Sequence, residues 1–445
     1  MFNFSDMKKY RIGVVGLWHL GEIFSAGLAE LGYTVIGFDD ASIITNLNQG
    51  KPPLAEPGLS ELVAKHLASG RLSYSHDFSK LESCDVIWLA IDTPVNDRDE
   101  VDVSSIWNFF KNHSKKFTPG ALVAISSQLP IGTCASLKRF FNENYPEKGL
   151  RLAYVPENLQ LGQALKSFFE PGRFVIGADD QASSDQTQDV LSPLKTNNLV
   201  MSIASAELSK HALNSFLATS LSFIYDIADV AEQYGADVVD VAKALRSDSR
   251  IGPEAYLDAS IGFSGGTLAR DLTILVEKAK EAEIKLPVIQ AVVTKNQERR
   301  SRLIEFLEKK LGALARKNIA VMGLTYKPGT PTLRRALSIE VIMILKGKGA
   351  IIHAYDPLAE KNELHALTGL DKSNNPYECA EACQAVLFLT GCSEFKDLDF
   401  VKLRSKMATP WILFDARNFL IDQEKKIQSA GFVYQGVGRA SFDKT

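Results

Sequence analysis

Short apolar runs alternating with helical periodicity organise the first third of the chain. Arg11–Gly16 (RIGVVG) reads as a strand, Leu17–Leu31 as a helix, and Thr34–Phe38 as a second strand ending at the acidic pair Asp39–Asp40. Asp85–Ile91, Ala121–Ser126, Leu152–Val155 and Phe174–Gly177 are further continuous apolar runs. That is the pattern of strands covered on both faces of a parallel sheet, and the last of them is expected to close it. From Ile203 to Tyr234 the period changes, with no Gly or Pro to interrupt it. Leu208, Ala212, Phe216, Ile224, Ile227 and Ala231 follow helical spacing, while Leu213, Leu217, Leu221 and Phe223 spread apolar surface around most of the circumference. Such a helix spans roughly 45 Å and is expected to be buried on several faces. Alternation then resumes with strands at Asn318–Gly323, Ala350–Tyr355, Gln384–Leu389 and Trp411–Phe414, and a helix over Leu337–Gly347.

The first strand–helix–strand carries a glycine turn and an acid about twenty residues on, the arrangement of a dinucleotide-binding βαβ unit. The turn reads Gly16-Leu17-Trp18-His19-Leu20-Gly21. Trp18 stands where a second Gly normally lets backbone approach a pyrophosphate, so Gly16, Trp18, Leu20 and Gly21 are candidate cofactor contacts in an altered fingerprint. Asp39 holds the position that bonds an adenosine ribose, which favours NAD over NADP; its bland reading is an ordinary loop acid. Thr93, Pro94 and Gln128 follow strand ends, where ligands sit in this architecture. The later alternation lacks the glycine fingerprint and reads as a second, Rossmann-like layer. Lys327, Arg334 and Arg417 lie past its strand ends, placed for phosphate contacts. The predicted class is α/β: two Rossmann-like doubly wound parallel-sheet domains, residues 1–200 and 301–445, joined by an all-α long-helix domain at 201–300.

Composition narrows the partners. With 445 residues, 45% hydrophobic and 23% charged, the chain is large enough for two or three cores. A net charge of −3 offers no basic patch for nucleic acid, and no apolar run approaches a membrane span. The start, MFNFSDMKKY, lacks a signal-peptide apolar region, so the expected compartment is the cytoplasm. The five Cys lack metal-ligand spacing, so no metal is expected and structural thiols are the default. On the long helix Lys210 and Asn214 are four apart and share a face; alone, such a Lys is ordinarily solvated or snorkelling.

The ordered segments Gly50–Leu62 (GKPPLAEPGLSEL), Thr93-Pro94, Leu129–Thr133, Pro156-Glu157, Glu207–Ser222, Arg250-Ile251-Gly252, Gly262–Asp271 (GFSGGTLARD), Gly323–Pro328 (GLTYKP), Tyr355-Asp356-Pro357 and Asp415–Asn418 run nearly end to end. They resemble the nucleotide-sugar dehydrogenases, the family that includes UDP-glucose 6-dehydrogenase and GDP-mannose dehydrogenase. The resemblance implies an NAD-dependent homodimer built through the central helix, acting on a UDP- or GDP-linked sugar that feeds polysaccharide biosynthesis. It implies that Lys210 and Asn214 work at the sugar carbon beside Glu157 and Asp271. Arg250 is then expected to reach a neighbouring subunit's site. Phe263 and Gly265, in the matching glycine-rich segment, join Lys327 and Arg417 in holding the sugar nucleotide, and Arg334 lies near the cofactor.

The departures bear on chemistry. Family members oxidise a primary alcohol twice through a Cys that captures the aldehyde, and that position is Thr267 here. A thiol ionises near ~8.5 and is a competent nucleophile; a Thr hydroxyl needs a dedicated base. Gln128 stands for a Thr, Leu161 for a Glu, Gly172 for an Asp, Arg270 for a Lys and Thr332 for an Asp. The expected activity is therefore one two-electron oxidation of an alcohol to a carbonyl. The alternatives are a four-electron oxidation without a thioester, a keto-sugar reduction, and a non-catalytic sugar-nucleotide binder with Trp18 plugging the cofactor groove. Retention of Lys210, Asn214, Glu157 and Asp271 argues against the last.

Overall fold

A computed structural model describes residues 10–54, 56–94, 101–157, 159 and 162–440; the first nine residues and Leu161 lie outside them. The chain divides into two compact units, Met1–Ala212 and Leu213–Thr445.

The first unit is built on eight strands: β1 (Arg11–Val15), β2 (Thr34–Phe38), β3 (Leu72–Ser75), β4 (Val86–Leu89), β5 (Leu122–Ile125), β6 (Arg151–Tyr154), β7 (Arg173–Ala178) and β8 (Asn197–Met201). They lie in the order β3-β2-β1-β4-β5-β6-β7-β8. The order reverses at β1, and ligands in such sheets sit beyond the strand ends at that switch. Every residue of β4 and of β5 is buried, which is why those strands read as unbroken apolar runs.

Two features differ from the sequence expectation. β7 pairs antiparallel with β6, with Ala153 opposite Ala178 and Tyr154 opposite Gly177. β7 also does not close the sheet, because β8 lies outside it, parallel to it. β8 (NNLVM) is an edge strand with Leu199 40% and Val200 46% exposed, so it lacks the apolar pattern of its neighbours.

The second unit carries β9 (Asn318–Met322), β10 (Ile351–Tyr355), β11 (Ala385–Phe388), β12 (Ile412–Asp415) and β13 (Val433–Gly436), in the order β10-β9-β11-β12-β13. All four pairings are parallel. β3 (LSYS) and β13 (VYQG) mix apolar residues with polar residues or glycine, so neither stands out in sequence as an apolar run.

The long helix runs over Ile203–Tyr234, 32 residues, as its pattern predicts. Ile224, Tyr225, Ala228 and Ala231 bury one side in the core of the second unit. Asp229 ties it to the helix Pro287–Leu311 through Lys295, at 2.5 Å, and Arg299. The expectation of burial on several faces is not met within one chain. Leu208, Phe216, Phe223 and Val230 are 45%, 69%, 48% and 55% exposed, and the sevenfold spacing of 216, 223 and 230 sets these three along one stripe. No described helix is long and apolar enough to cross a membrane.

Candidate active site

Sterics dictate the turn after β1. Gly16 has φ +88°, and a Cβ there would lie 2.6 Å from Ile91 Cα. A Cβ on Gly21 would lie 1.8 Å from the Gly16 carbonyl oxygen. Both must be glycine for the helix His19–Glu30 to open directly behind the strand. Asp39, at the end of β2, accepts the Leu17 amide at 2.5 Å and the Asp40 amide at 2.7 Å. Burial pushes its carboxyl up, opposed by those two amides, which favour its charged form. Trp18 is 45% exposed, and Leu20 is partly buried one residue before Gly21. A bare turn, a helix N-terminus and a strand-end acid fit a dinucleotide.

The second sheet repeats the device. Gly323, after β9, has φ +79°, and Asp356, after β10, accepts the amides of Leu324 and Thr325 at 2.7 and 3.2 Å. In both units the amide of the turn glycine bonds the last carbonyl of the neighbouring strand at 3.0 Å, Phe38 for Gly16 and Tyr355 for Gly323.

Behind the first turn lies a group that sequence reading missed. Glu22 is fully buried, accepts the Tyr74 hydroxyl on one oxygen, and leaves Oε2 without a partner. Burial, and then the charge of Asp39, push its carboxyl up to about 7 against the bond from Tyr74. Unfolded, it would ionise near its ordinary value of 4.5. Between those values the folded chain holds more protons than the unfolded, so stability falls as pH rises through the window and levels above it. Glu22→Gln is expected to remove that fall, a relative gain on the order of 3 kcal/mol at pH 8. Urea unfolding of both proteins at pH 5 and pH 8 measures it; equal pH slopes would disprove the assignment. The signal available in sequence was a lone acid inside an otherwise apolar helical stretch.

At the ends of β4 and β5, the Thr93 hydroxyl donates to the Gln128 carbonyl at 3.0 Å, and the Pro94 carbonyl accepts the Asp102 amide at 2.8 Å. Past β6, Glu157 helps line a cavity of about 230 Å³ with Pro156, Phe168, Arg173 and Phe174. Lys210 Nζ donates to the Glu157 main-chain oxygen at 2.6 Å and stands 4.0 Å from its carboxylate. The Lys210 side chain is 8% exposed, so it is neither solvated nor snorkelling.

In the second unit Asn214, one helical turn beyond Lys210, donates through its side-chain amide to the fully buried Asp271. Asp271 sits in the first turn of the helix Arg270–Glu281, which a π-helical turn, Gly265–Ala269, precedes. Thr267 lies in that turn, its Oγ1 3.5 Å from the Tyr326 hydroxyl. Phe263 is held at both main-chain groups by Asn296, at 2.8 and 3.0 Å. The Lys327 carbonyl accepts the Thr330 hydroxyl at 3.0 Å, Arg417 Nε donates to the Leu389 carbonyl at 3.1 Å, and Arg334 is exposed. Arg250 stands apart, 87% exposed at its side chain and paired with Asp248 at 2.7 Å. The structure thus joins Lys210 to Glu157, and Asn214 to Asp271.

Comparison with known proteins identifies the architecture. Residues 10–195 match the UDP-glucose/GDP-mannose dehydrogenase family, NAD binding domain; 204–298 match its central domain and 320–422 its UDP binding domain. A UDP-glucose 6-dehydrogenase of Rhizobium meliloti (strain 1021) is 32% identical over 438 residues, covering 96% of this chain and 99% of that protein. The UDP-glucose 6-dehydrogenase TuaD of Bacillus subtilis (strain 168) is 32% identical over 440 residues, covering 97% and 94%. A solved UDP-glucose dehydrogenase from the hyperthermophilic archaeon Pyrobaculum islandicum superposes with a TM-score of 0.87 at 28% identity, covering 98% of this chain and 99% of that one. With a glycine turn, a strand-end acid and three family domains in order along it, the chain belongs to the UDP-glucose/GDP-mannose dehydrogenase family.

Proposed function

We propose that the protein is an NAD-dependent dehydrogenase that oxidises one hydroxyl of a nucleotide sugar in a single two-electron step. The observation that carries this reading is the chemistry at position 267 together with the state of every thiol. Thr267 offers a hydroxyl, and all five cysteines are buried and unpaired. Burial pushes Cys84 up to about 11 and Cys383 and Cys392 to about 12, and it raises Cys134 and Cys379 as well. A protonated, enclosed thiol is a poor nucleophile, so covalent capture of an aldehyde has no ready agent. The free thiols also suit a reducing compartment such as the cytoplasm.

The residues divide the work. Gly16, Leu20 and Gly21 would cradle the dinucleotide's phosphates at the helix N-terminus, with half-exposed Trp18 at their edge and Asp39 on a ribose; Thr93, Pro94, Gln128 and Arg334 flank it. NAD, when bound, accepts the hydride. Lys210 and Asn214 hold the reacting oxygen, with Asp271 fixing the Asn214 amide. Glu157 takes the hydroxyl proton, directly or through water. Thr267 is a hydrogen-bonding neighbour, not a nucleophile. Lys327, Arg417, Phe263 and Gly265 hold the sugar nucleotide, UDP- or GDP-linked, and exposed Arg250 extends toward a second subunit. A secondary alcohol treated this way stops at the ketone, which has no further hydride to give; a primary one would be released as the aldehyde.

The same reading divides the chain into a dinucleotide part (1–200), a dimerising helical part (201–300) and a sugar-nucleotide part (301–445), a division the three matched ranges support. The exposed Phe216, Phe223 and Val230 stripe is the surface on which two copies pair.

The deciding measurement counts NADH formed per sugar consumed, with UDP- and GDP-sugars. One is expected; two, with a uronate product, would establish a four-electron oxidation instead. Thr267→Ala is expected to cost no more than about tenfold in turnover, the scale of one neutral hydrogen bond. A loss of several thousandfold, or an acylated Thr267 in a trapped reaction, would make the hydroxyl a nucleophile after all.

A further inference from the structure

The segment Gly50–Leu62 contains an acid, Glu56, that is held by groups from two distant parts of the chain. The Glu56 side chain is 1% exposed. Its Oε1 lies 2.7 Å from His19 Nε2 and 2.6 Å from the Gly162 amide, and its Oε2 accepts the Ala164 amide at 3.2 Å. A carboxylate this enclosed persists only where donors replace its lost water.

The identity of those donors carries the inference. His19 is the first residue of the helix that opens behind the dinucleotide turn. Gly162 and Ala164 lie on the far side of the excursion that leaves β6 after Tyr154 and carries Glu157. One carboxylate therefore grips the cofactor end with one hand and the segment bearing the proposed base with the other, across sequence separations of 37, 106 and 108 residues.

We propose that Glu56 is a positioning residue that couples the dinucleotide turn to the Glu157 segment, so that NAD binding at the turn tightens the backbone at Gly162 and Ala164. The catalytic part of this proposal rests on the reading of Glu157 as the proton acceptor; the coupling itself does not. The chemistry needs the carboxylate specifically. A carboxamide in its place must turn its NH2 toward either the His19 and Gly162 donors or the Ala164 amide, which leaves donor facing donor. A Gln at position 19 still offers a neutral N–H where His19 Nε2 stands.

The experiment uses the full-length protein and NAD alone in its first arm. Amide hydrogen exchange at Gly162 and Ala164 is expected to slow when NAD is added to the wild type, and to be indifferent to NAD in Glu56→Gln and His19→Leu. Calorimetry is expected to show NAD affinity about tenfold weaker in each variant, with the double variant no worse than either single one, because both remove the same contact. His19→Gln is expected to return to within about twofold of wild type. Thermal unfolding is run alongside; should Glu56→Gln fail to fold, His19→Leu and His19→Gln carry the test. Wild-type exchange that ignores NAD would overturn the proposal. So would folded variants that bind NAD with wild-type affinity, or additive losses in the double variant. In the second arm, kcat with a nucleotide sugar should fall with NAD affinity across the variants, and a kcat unchanged in Glu56→Gln would overturn the link to Glu157. Absence of NADH formation by the wild type would instead count against the proposed function and leave the outcome of the first arm standing.

Discussion

Lys210→Met is expected to lower turnover by about 10²–10³-fold, the usual loss when one preorganised donor to a developing oxyanion is removed, while NAD affinity stays at the wild-type value. The expectation follows from where the ammonium is held. Its Nζ is anchored to the Glu157 carbonyl at 2.6 Å on a side chain 8% exposed. An ammonium has three N–H donors, so it can serve that carbonyl and, at the same time, an oxygen that becomes alkoxide-like as hydride leaves its carbon. Met preserves the apolar stem, so packing of the helix Ile203–Tyr234 is kept while the charge is lost. Steady-state kinetics with the preferred nucleotide sugar, together with calorimetry for NAD, separate the two effects. Turnover within tenfold of wild type would show that Lys210 only fastens the loop. Weakened NAD binding would place the charge at the cofactor instead.

Phe216→Glu is expected to weaken self-association by about 10³-fold or more. Phe216 is 69% exposed on a helix whose other side is committed to its own core, and a twofold interface counts each residue twice. Burying one Phe side chain contributes about 2 kcal/mol, so a pair accounts for about 10³ in the dissociation constant. The two introduced carboxylates would add repulsion. Sedimentation equilibrium across a range of protein concentrations gives both constants. A monomeric wild type, or a variant that associates as tightly, would remove the pairing surface from the proposal. Phe223 and Val230 on the same stripe should show the same direction with smaller size.

What was legible in the sequence follows from where water is excluded on both sides of an element. β4 and β5 have every residue buried, so composition alone marks them as strands. β8 is half in solvent, with Leu199 and Val200 exposed, and its residues carry no comparable signal. Strand direction is equally silent: RFVIGA would read the same whether parallel or antiparallel to β6. The long helix shows a different limit. Its apolar circumference does signal burial, but a sequence does not say whether the covering surface belongs to the same chain.

In the site, the glycine turn was readable because sterics forbid a side chain at Gly16 and Gly21. Lys210, Asn214, Glu157 and Asp271 were legible through a resemblance, and the structure adds how Lys210 joins Glu157 and Asn214 joins Asp271. Glu22 with Tyr74, and His19 with Glu56, escaped because their partners lie 52 and 37 residues away. Pairs that distant are set by folding, not by any local spacing.

The reversed direction of β7 has a bearing on how substrate choice can change. With Tyr154 opposite Gly177, the end of β6 and the start of β7 lie at the same end of the sheet, and residues 155–172 join them. Lengthening or trimming that segment alters what stands around Glu157 without rethreading any strand. On the proposed role of Glu157, insertion or deletion there is expected to alter sugar acceptance, while the strand order β3-β2-β1-β4 stays as it is.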